Sequence, residues 1–156
     1  MPIQPFPCNE EEACREITFS SKEIAFDLAN EKATGQWIEK IIEREDKQLH
    51  SLNFIFCSDN YLHTLNVEYL GHDSLTDIIT FPYATSPAIE ADVFISIDRV
   101  RENARVYDVP FDEELARVMA HGVLHLCGYD DKTPAEKKQM RQKEDEALNI
   151  RNSGKV

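Results

Sequence analysis

Apolar and polar positions change period along this chain, and the changes divide it into nine segments. REITFSS (15–21) alternates like a short strand. In TGQWIEKIIEREDKQ (34–48), Trp37, Ile38, Ile41 and Ile42 fall on one helical face, with Thr34 as the expected N-cap. SLNFIFCS (51–58) sets Leu52, Phe54 and Phe56 against Asn53, Ile55 and Cys57, which predicts a strand buried on both faces. Asp59 is placed to cap the next helix, NYLHTLNVEYL, packed through Leu62, Leu65 and Tyr69 and stopped by Gly71.

TDIITFPYA (76–84) and ADVFISI (91–97) read as two strands joined by a short loop with Pro87, hence an antiparallel hairpin. Asp98 is the expected cap of a helix over 99–107, and Pro110 separates it from FDEELARVMAHGVLHLCG, a helix of about five turns. Asp112, Glu113 and Glu114 at its start suit the positive end of the helix dipole. Pro134 opens a last charged helix, PAEKKQMRQKEDEALN, and the tail RNSGKV is expected to fray. The order β-α-β-α-β-β-α-α-α predicts an α+β domain with a mixed sheet of about four strands. No repeat or Gly/Ser linker divides the chain, so residues 1–156 are expected to form one domain.

Composition narrows the setting. With 42% hydrophobic and 29% charged residues, the 156-residue chain suits an ordinary globular core. Cys8, Cys14, Cys57 and Cys127 form no CxxC pair, which suggests reduced thiols in a cytoplasm. The first residues carry no basic and apolar leader, and no apolar run is long enough for a bilayer. A net charge of −12 opposes casual binding to nucleic acid. Most of the excess acid lies in residues 1–80, so a local basic surface near the second half is still compatible with the charge.

HGVLHLCGYDD (121–131) is the stretch with chemistry in it. On a helix, His121 and His125 are about 40° apart around the axis and about 6 Å apart along it, so one ion can meet both rings. Along a continued helix, Asp131 would lie about 15 Å from His121. Gly128 can take a positive φ, end the helix and fold YDD back toward the histidines. Two imidazoles and a carboxylate then form a three-ligand site with an open fourth position, as in catalytic zinc sites. Asp130 is the rival third ligand, and a bare histidine pair on a polar helix face is the plain alternative. In an HExxH peptidase a glutamate follows the first histidine as general base, whereas Gly122 stands here.

HGVLHLCGYDD resembles the signature HGxLHLxGYDH of the YbeY family of bacterial metal-dependent endoribonucleases. LNVEYLGHDSLTDIITFP and ADVFISIDRVRENA resemble that family's segments in the same order, from about Leu52 to Leu148. The resemblance implies a zincin-like fold with one zinc at His121, His125 and Asp131. It also implies single-strand-specific hydrolysis of RNA in maturation of small-subunit ribosomal RNA, with the small ribosomal subunit as partner. Neither DNA nor a membrane is expected. Asp131 replaces the family's usual histidine, a ligand set that also suits Fe2+ or Ni2+. Leu70 replaces an arginine thought to hold the phosphate, so another cation has to serve if cleavage is retained.

Arg101 and Arg105, with Arg99 and Arg117 near them, are candidates for that cation. Lys132, Lys137, Lys138 and Arg141 are others, and a solvated helix face is the ordinary reading of all of these. Thr76 and Asp77 are candidate substrate-side residues, and Asp77 could accept a hydrogen bond from a ligand histidine. His72 could donate a proton, His50 and His63 read as structural or solvated, and Cys127 reads as packing. Two other functions compete: a ribosome assembly factor with a mainly structural metal, and a zincin-like metallopeptidase.

Overall fold

In the computed structural model, residues 16–71 and 76–153 are described. Cys8, Cys14, His72 and the last three residues of the tail lie outside them. Strands β1 (Glu16–Lys22), β2 (Leu49–Cys57), β3 (Ile78–Ala84) and β4 (Ile89–Ser96) form one sheet in the order β1-β2-β4-β3. β1, β2 and β4 run parallel, and β3 returns antiparallel to β4 as the hairpin pattern predicts. The helices are α1 (Glu31–Arg44), α2 (Asp59–Leu70), α3 (Ile97–Tyr107), α4 (Phe111–Leu126) and α5 (Pro134–Asn152). The α+β order and the mixed four-stranded sheet are as expected.

The pleat divides the strands between two layers. Leu52, Phe54 and Phe56 of β2 and Val93 and Ile95 of β4 face one way, toward Trp37, Ile38, Ile41 and Ile42 of α1 and Leu115, Met119 and Val123 of α4. Trp37 Nε1 donates to the Ala147 carbonyl at 2.8 Å, tying α1 to α5 beneath that layer. On the other face, among the described residues, α2 packs, with Leu62 against Cys57 and Ile79 and with Tyr61, Leu65, Phe81 and Phe94 around them. A polar row occupies the rest of that face, from Thr18 through Asn53 and Asp92 to Tyr83. Asn53 and Ile55 are therefore half-buried, and β2 is fully covered on one face instead of two.

Several boundaries differ from the sequence reading for local reasons. α1 starts at Glu31, because the Thr34 amide already bonds the Asn30 carbonyl at 3.0 Å; Thr34 lies in the first turn. Ser58 caps α2 and Ser96 caps α3, each accepting from a backbone amide at 3.1 and 3.0 Å. The neighbouring acids, Asp59 and Asp98, join the two helix starts instead. Asp98 accepts from the Asp59 amide at 2.9 Å, and Asp59 pairs with Arg99 at 2.8 Å. Tyr69 was expected to pack, but it is 67% exposed and touches Phe81 only edge-on. α5 runs on to Asn152, so its end holds two residues of the tail expected to fray.

Candidate metal centre and the cleft around it

α4 presents the two histidines because its other face is committed to the core. Leu115, Met119, Val123 and Leu126 are buried, which leaves His121 and His125 half-buried at the edge toward β3. Gly122 sits where the helix comes closest to the sheet. A Cβ there would lie 2.7 Å from Ile78 Cδ1 and 3.5 Å from Thr80 Cγ2 and Val93 Cγ1. Close packing of α4 on β3 and β4 thus accounts for glycine where a peptidase carries glutamate.

The helix ends in a Schellman turn. The Gly128 amide bonds the His125 carbonyl at 3.0 Å and the Tyr129 amide bonds the Leu124 carbonyl at 3.1 Å. Gly128 has φ +112°, which side chains with a Cβ rarely adopt. Beyond it, Tyr129 donates its hydroxyl to Glu45 at 2.6 Å, which fastens the reversed loop to the C-terminal end of α1. Lys143 lies over the Tyr129 ring and pairs with the same glutamate at 3.1 Å. The reversal turns Asp131 toward the histidines and leaves Asp130 exposed.

Three atoms converge there. His121 Nε2 and His125 Nε2 are 3.0 Å apart, and Asp131 Oδ2 is 3.2 and 3.4 Å from them. Neighbouring ligands of a tetrahedral zinc with bonds of about 2.0–2.1 Å are about 3.3 Å apart, so the spacing fits such an ion. Charge argues the same way. His121 Nδ1 lies 2.6 Å from Glu144 Oε2, and the carboxylate, which can only accept, makes Nδ1 the donor. In the neutral ring this leaves the Nε2 lone pair aimed at Asp131, so the cluster calls for a proton or a cation between its atoms. Burial alone would lower the His121 pKa; the Glu144 hydrogen bond and charge, with Asp131 and Asp77, raise it overall.

Glu144 is the residue that sequence reading missed. It is 6% exposed, accepts from His121, and is held by Arg117 at 3.0 Å. Its signal was present in α5: Met140, Glu144, Ala147 and Leu148 make a buried stripe with one carboxylate in it. The histidine partner was sought in Asp77, and Glu144 occupies that place. Asp77 accepts instead from Asn103 at 3.2 Å, and burial raises its pKa despite the nearby His121.

The centre lies at the waist of a two-part cleft. One lobe, about 530 Å³, is walled by α2 and β3, including Leu70, Thr76 and Thr80. The other, about 380 Å³, lies between α3, α4 and α5 and includes Tyr107, Arg117 and Arg141. Asp77, Ile78, His121 and Asp131 line both. Thr76 and Asp77 therefore stand beside the histidines. Arg101 and Arg105 are not among the residues lining either lobe: Arg101 lies over the Phe111 ring and Arg105 pairs with Glu102. Arg99 is engaged by Asp59. His50 is exposed on β2, and Cys127 packs in the core, where burial pushes its thiol up to about 11. No helix among the described residues is long and apolar enough to cross a membrane.

Comparison with known proteins places these features in a family. The family model described as Endoribonuclease YbeY matches residues 16–152. The chain is 51% identical over 126 residues to a protein named Endoribonuclease YbeY from Flavobacterium johnsoniae, covering 81% of this chain and 91% of that protein. A protein of the same name from Bacteroides thetaiotaomicron is 38% identical over 135 residues, 86% of this chain and 98% of that one. Among solved structures, the solution structure of TM1509 from Thermotoga maritima superposes with a TM-score of 0.60 at 25% identity. The superposition covers 88% of this chain and 92% of that one.

Proposed function

This chain belongs to the endoribonuclease YbeY family, and on that premise we propose that it is a zinc-dependent endoribonuclease. Its substrate is single-stranded RNA, and its place is in the cytoplasm, in maturation of small-subunit ribosomal RNA on the assembling small subunit. The observation that carries the metal-dependent reading is the convergence of His121 Nε2, His125 Nε2 and Asp131 Oδ2 within 3.0–3.4 Å in a cleft. These three side chains would hold the ion. When bound, zinc would supply Lewis acidity at a phosphoryl oxygen and would lower the pKa of an attacking water.

The chain's own residues do the positioning. Glu144 fixes the His121 ring and its tautomer. Gly122 provides no base, which counts against peptide hydrolysis. Asp77 lines the cleft with a carboxyl whose pKa is raised by burial. Thr76 stands beside it on the substrate side. The chain's net charge of −12 opposes tight binding to free RNA and favours action on a docked ribosomal substrate.

A second reading, assembly factor with a structural metal, draws on Leu70, which lines the cleft without offering a charge. Elemental analysis of the purified protein and of His121→Ala and Asp131→Ala, followed by incubation with single-stranded RNA, separates the two. The nuclease reading expects one zinc per chain, its loss in both variants, and cleavage by the wild type alone. Zinc without cleavage favours the assembly factor. Iron reopens the reaction class, and full metal content in Asp131→Ala overturns the ligand set.

A further inference from the structure

The two lobes differ in character, and the difference suggests how RNA lies across the centre. The α2–β3 lobe carries Leu70, Thr76 and Thr80 on its walls and, among the described residues, no lining lysine or arginine. The α3–α5 lobe carries Arg117, Arg141 and Tyr107 beside the carboxylates Asp77, Glu114, Asp131 and Glu144. Arg117 is 20% exposed, and both of its terminal nitrogens are held, by Glu144 at 3.0 Å and Asp145 at 3.1 Å. Arg141 is 65% exposed and approaches Glu144 only to 3.7 Å, beyond hydrogen-bond range. It keeps donors for a ligand. Lys137 and Lys138 lie one turn earlier on the same helix, both exposed, so the basic edge continues outward from Arg141. Tyr107, at the end of α3, lines this lobe while 63% exposed. An aromatic ring left in water at the mouth of a cleft is an available stacking surface.

Resting on the ribonuclease reading, we propose that the α3–α5 lobe is the nucleotide subsite beside the scissile bond, with Arg141 on a backbone phosphate and Tyr107 stacked on a base. Arg141 then supplies the positive charge that Leu70 cannot supply from the opposite wall. An unpaired base can leave its strand to stack on Tyr107, whereas a paired one cannot, so the same contact selects single strands.

The test uses the metal-loaded full-length protein and a single-stranded RNA oligonucleotide, with kcat and KM measured across a salt series. Arg141→Ala should raise KM and flatten the dependence of log KM on log salt by about 0.7, the share of one phosphate contact on a single strand. Arg141→Lys should restore the slope. Tyr107→Ala should raise KM by about 5- to 150-fold at unchanged slope, with Tyr107→Phe near wild type. Lys40→Ala, at an exposed position of α1, is the matched loss of charge elsewhere. If Arg141→Ala and Tyr107→Ala do no more than Lys40→Ala, this subsite is wrong while the nuclease reading stands. If the wild-type protein does not cleave RNA, both fall together.

Discussion

Glu144 Oε2 sits 2.6 Å from His121 Nδ1, reaching from the buried stripe of α5 to a ring on α4. The contact joins two residues 23 apart in sequence and fixes which nitrogen of His121 faces the cleft. Buried carboxylate partners of this kind orient ligand histidines and raise their basicity.

Replacing that carboxylate should therefore weaken metal binding without removing a ligand. Glu144→Gln is expected to lower zinc affinity by about 10- to 100-fold. Competition titration against a chromophoric chelator measures it. Unchanged affinity would mean that the ring is oriented by packing alone.

The same contact sets a pH dependence in the metal-free protein. The folded His121 pKa lies above its usual 6.5, because the Glu144 bond and charge outweigh burial. A raised histidine stabilises the fold fully below pH 6.5 and loses that contribution as pH rises through the folded pKa. Melting temperatures of the metal-free protein should fall over that window, and the fall should flatten in Glu144→Gln. Metal affinity should move oppositely, rising with pH as the ligand proton leaves. A melting temperature that climbs through the same window in the metal-free protein would contradict the assignment.

Gly122 offers a packing test. Alanine there gains about 1 kcal/mol in helix propensity but forces the Ile78 δ-methyl aside, an overpacking cost of about 1–3 kcal/mol. Urea denaturation should show Gly122→Ala destabilised by about 0–2 kcal/mol. Ile78→Val removes the obstructing methyl, so the double variant should recover part of the loss. Gly122→Glu should be worse than alanine, since the longer chain has to pass the same contact.

Gly128 tests the reversal that delivers Asp131. At φ +112°, alanine is strained whatever the space around it, and a loss of at least about 1 kcal/mol is expected. Zinc affinity should drop as well, because Asp131 follows the turn. Gly35→Ala, in α1 with nothing within 4 Å of a new Cβ, should instead stabilise by up to about 1 kcal/mol. Equal effects at the two positions, read by denaturation and metal titration, would reject the turn argument.

Local periodicity alone determined the nine elements, their order and the β3–β4 hairpin. It also set the two histidines on one face and turned the YDD segment back toward them, since i, i+4 spacing and a helix-ending glycine act within a dozen residues of one another; that Asp131 and not Asp130 faces the rings was decided by the fold. What it could not show was which side chains serve as caps, because Ser58 and Asp59 are equally good acceptors until Arg99 claims the aspartate. Nor could it single out Arg141 from the seven other candidate lysines and arginines in the helical second half, since which guanidinium is already paired depends on α5 docking beside α4. Glu144 and Gly122 belong to the same class: a carboxylate and a missing side chain acquire meaning only from what the tertiary fold brings within 3 Å of them. Spacing along a helix is set by the backbone and can be read from sequence; contact between helices is set by packing, and only the folded chain decides it.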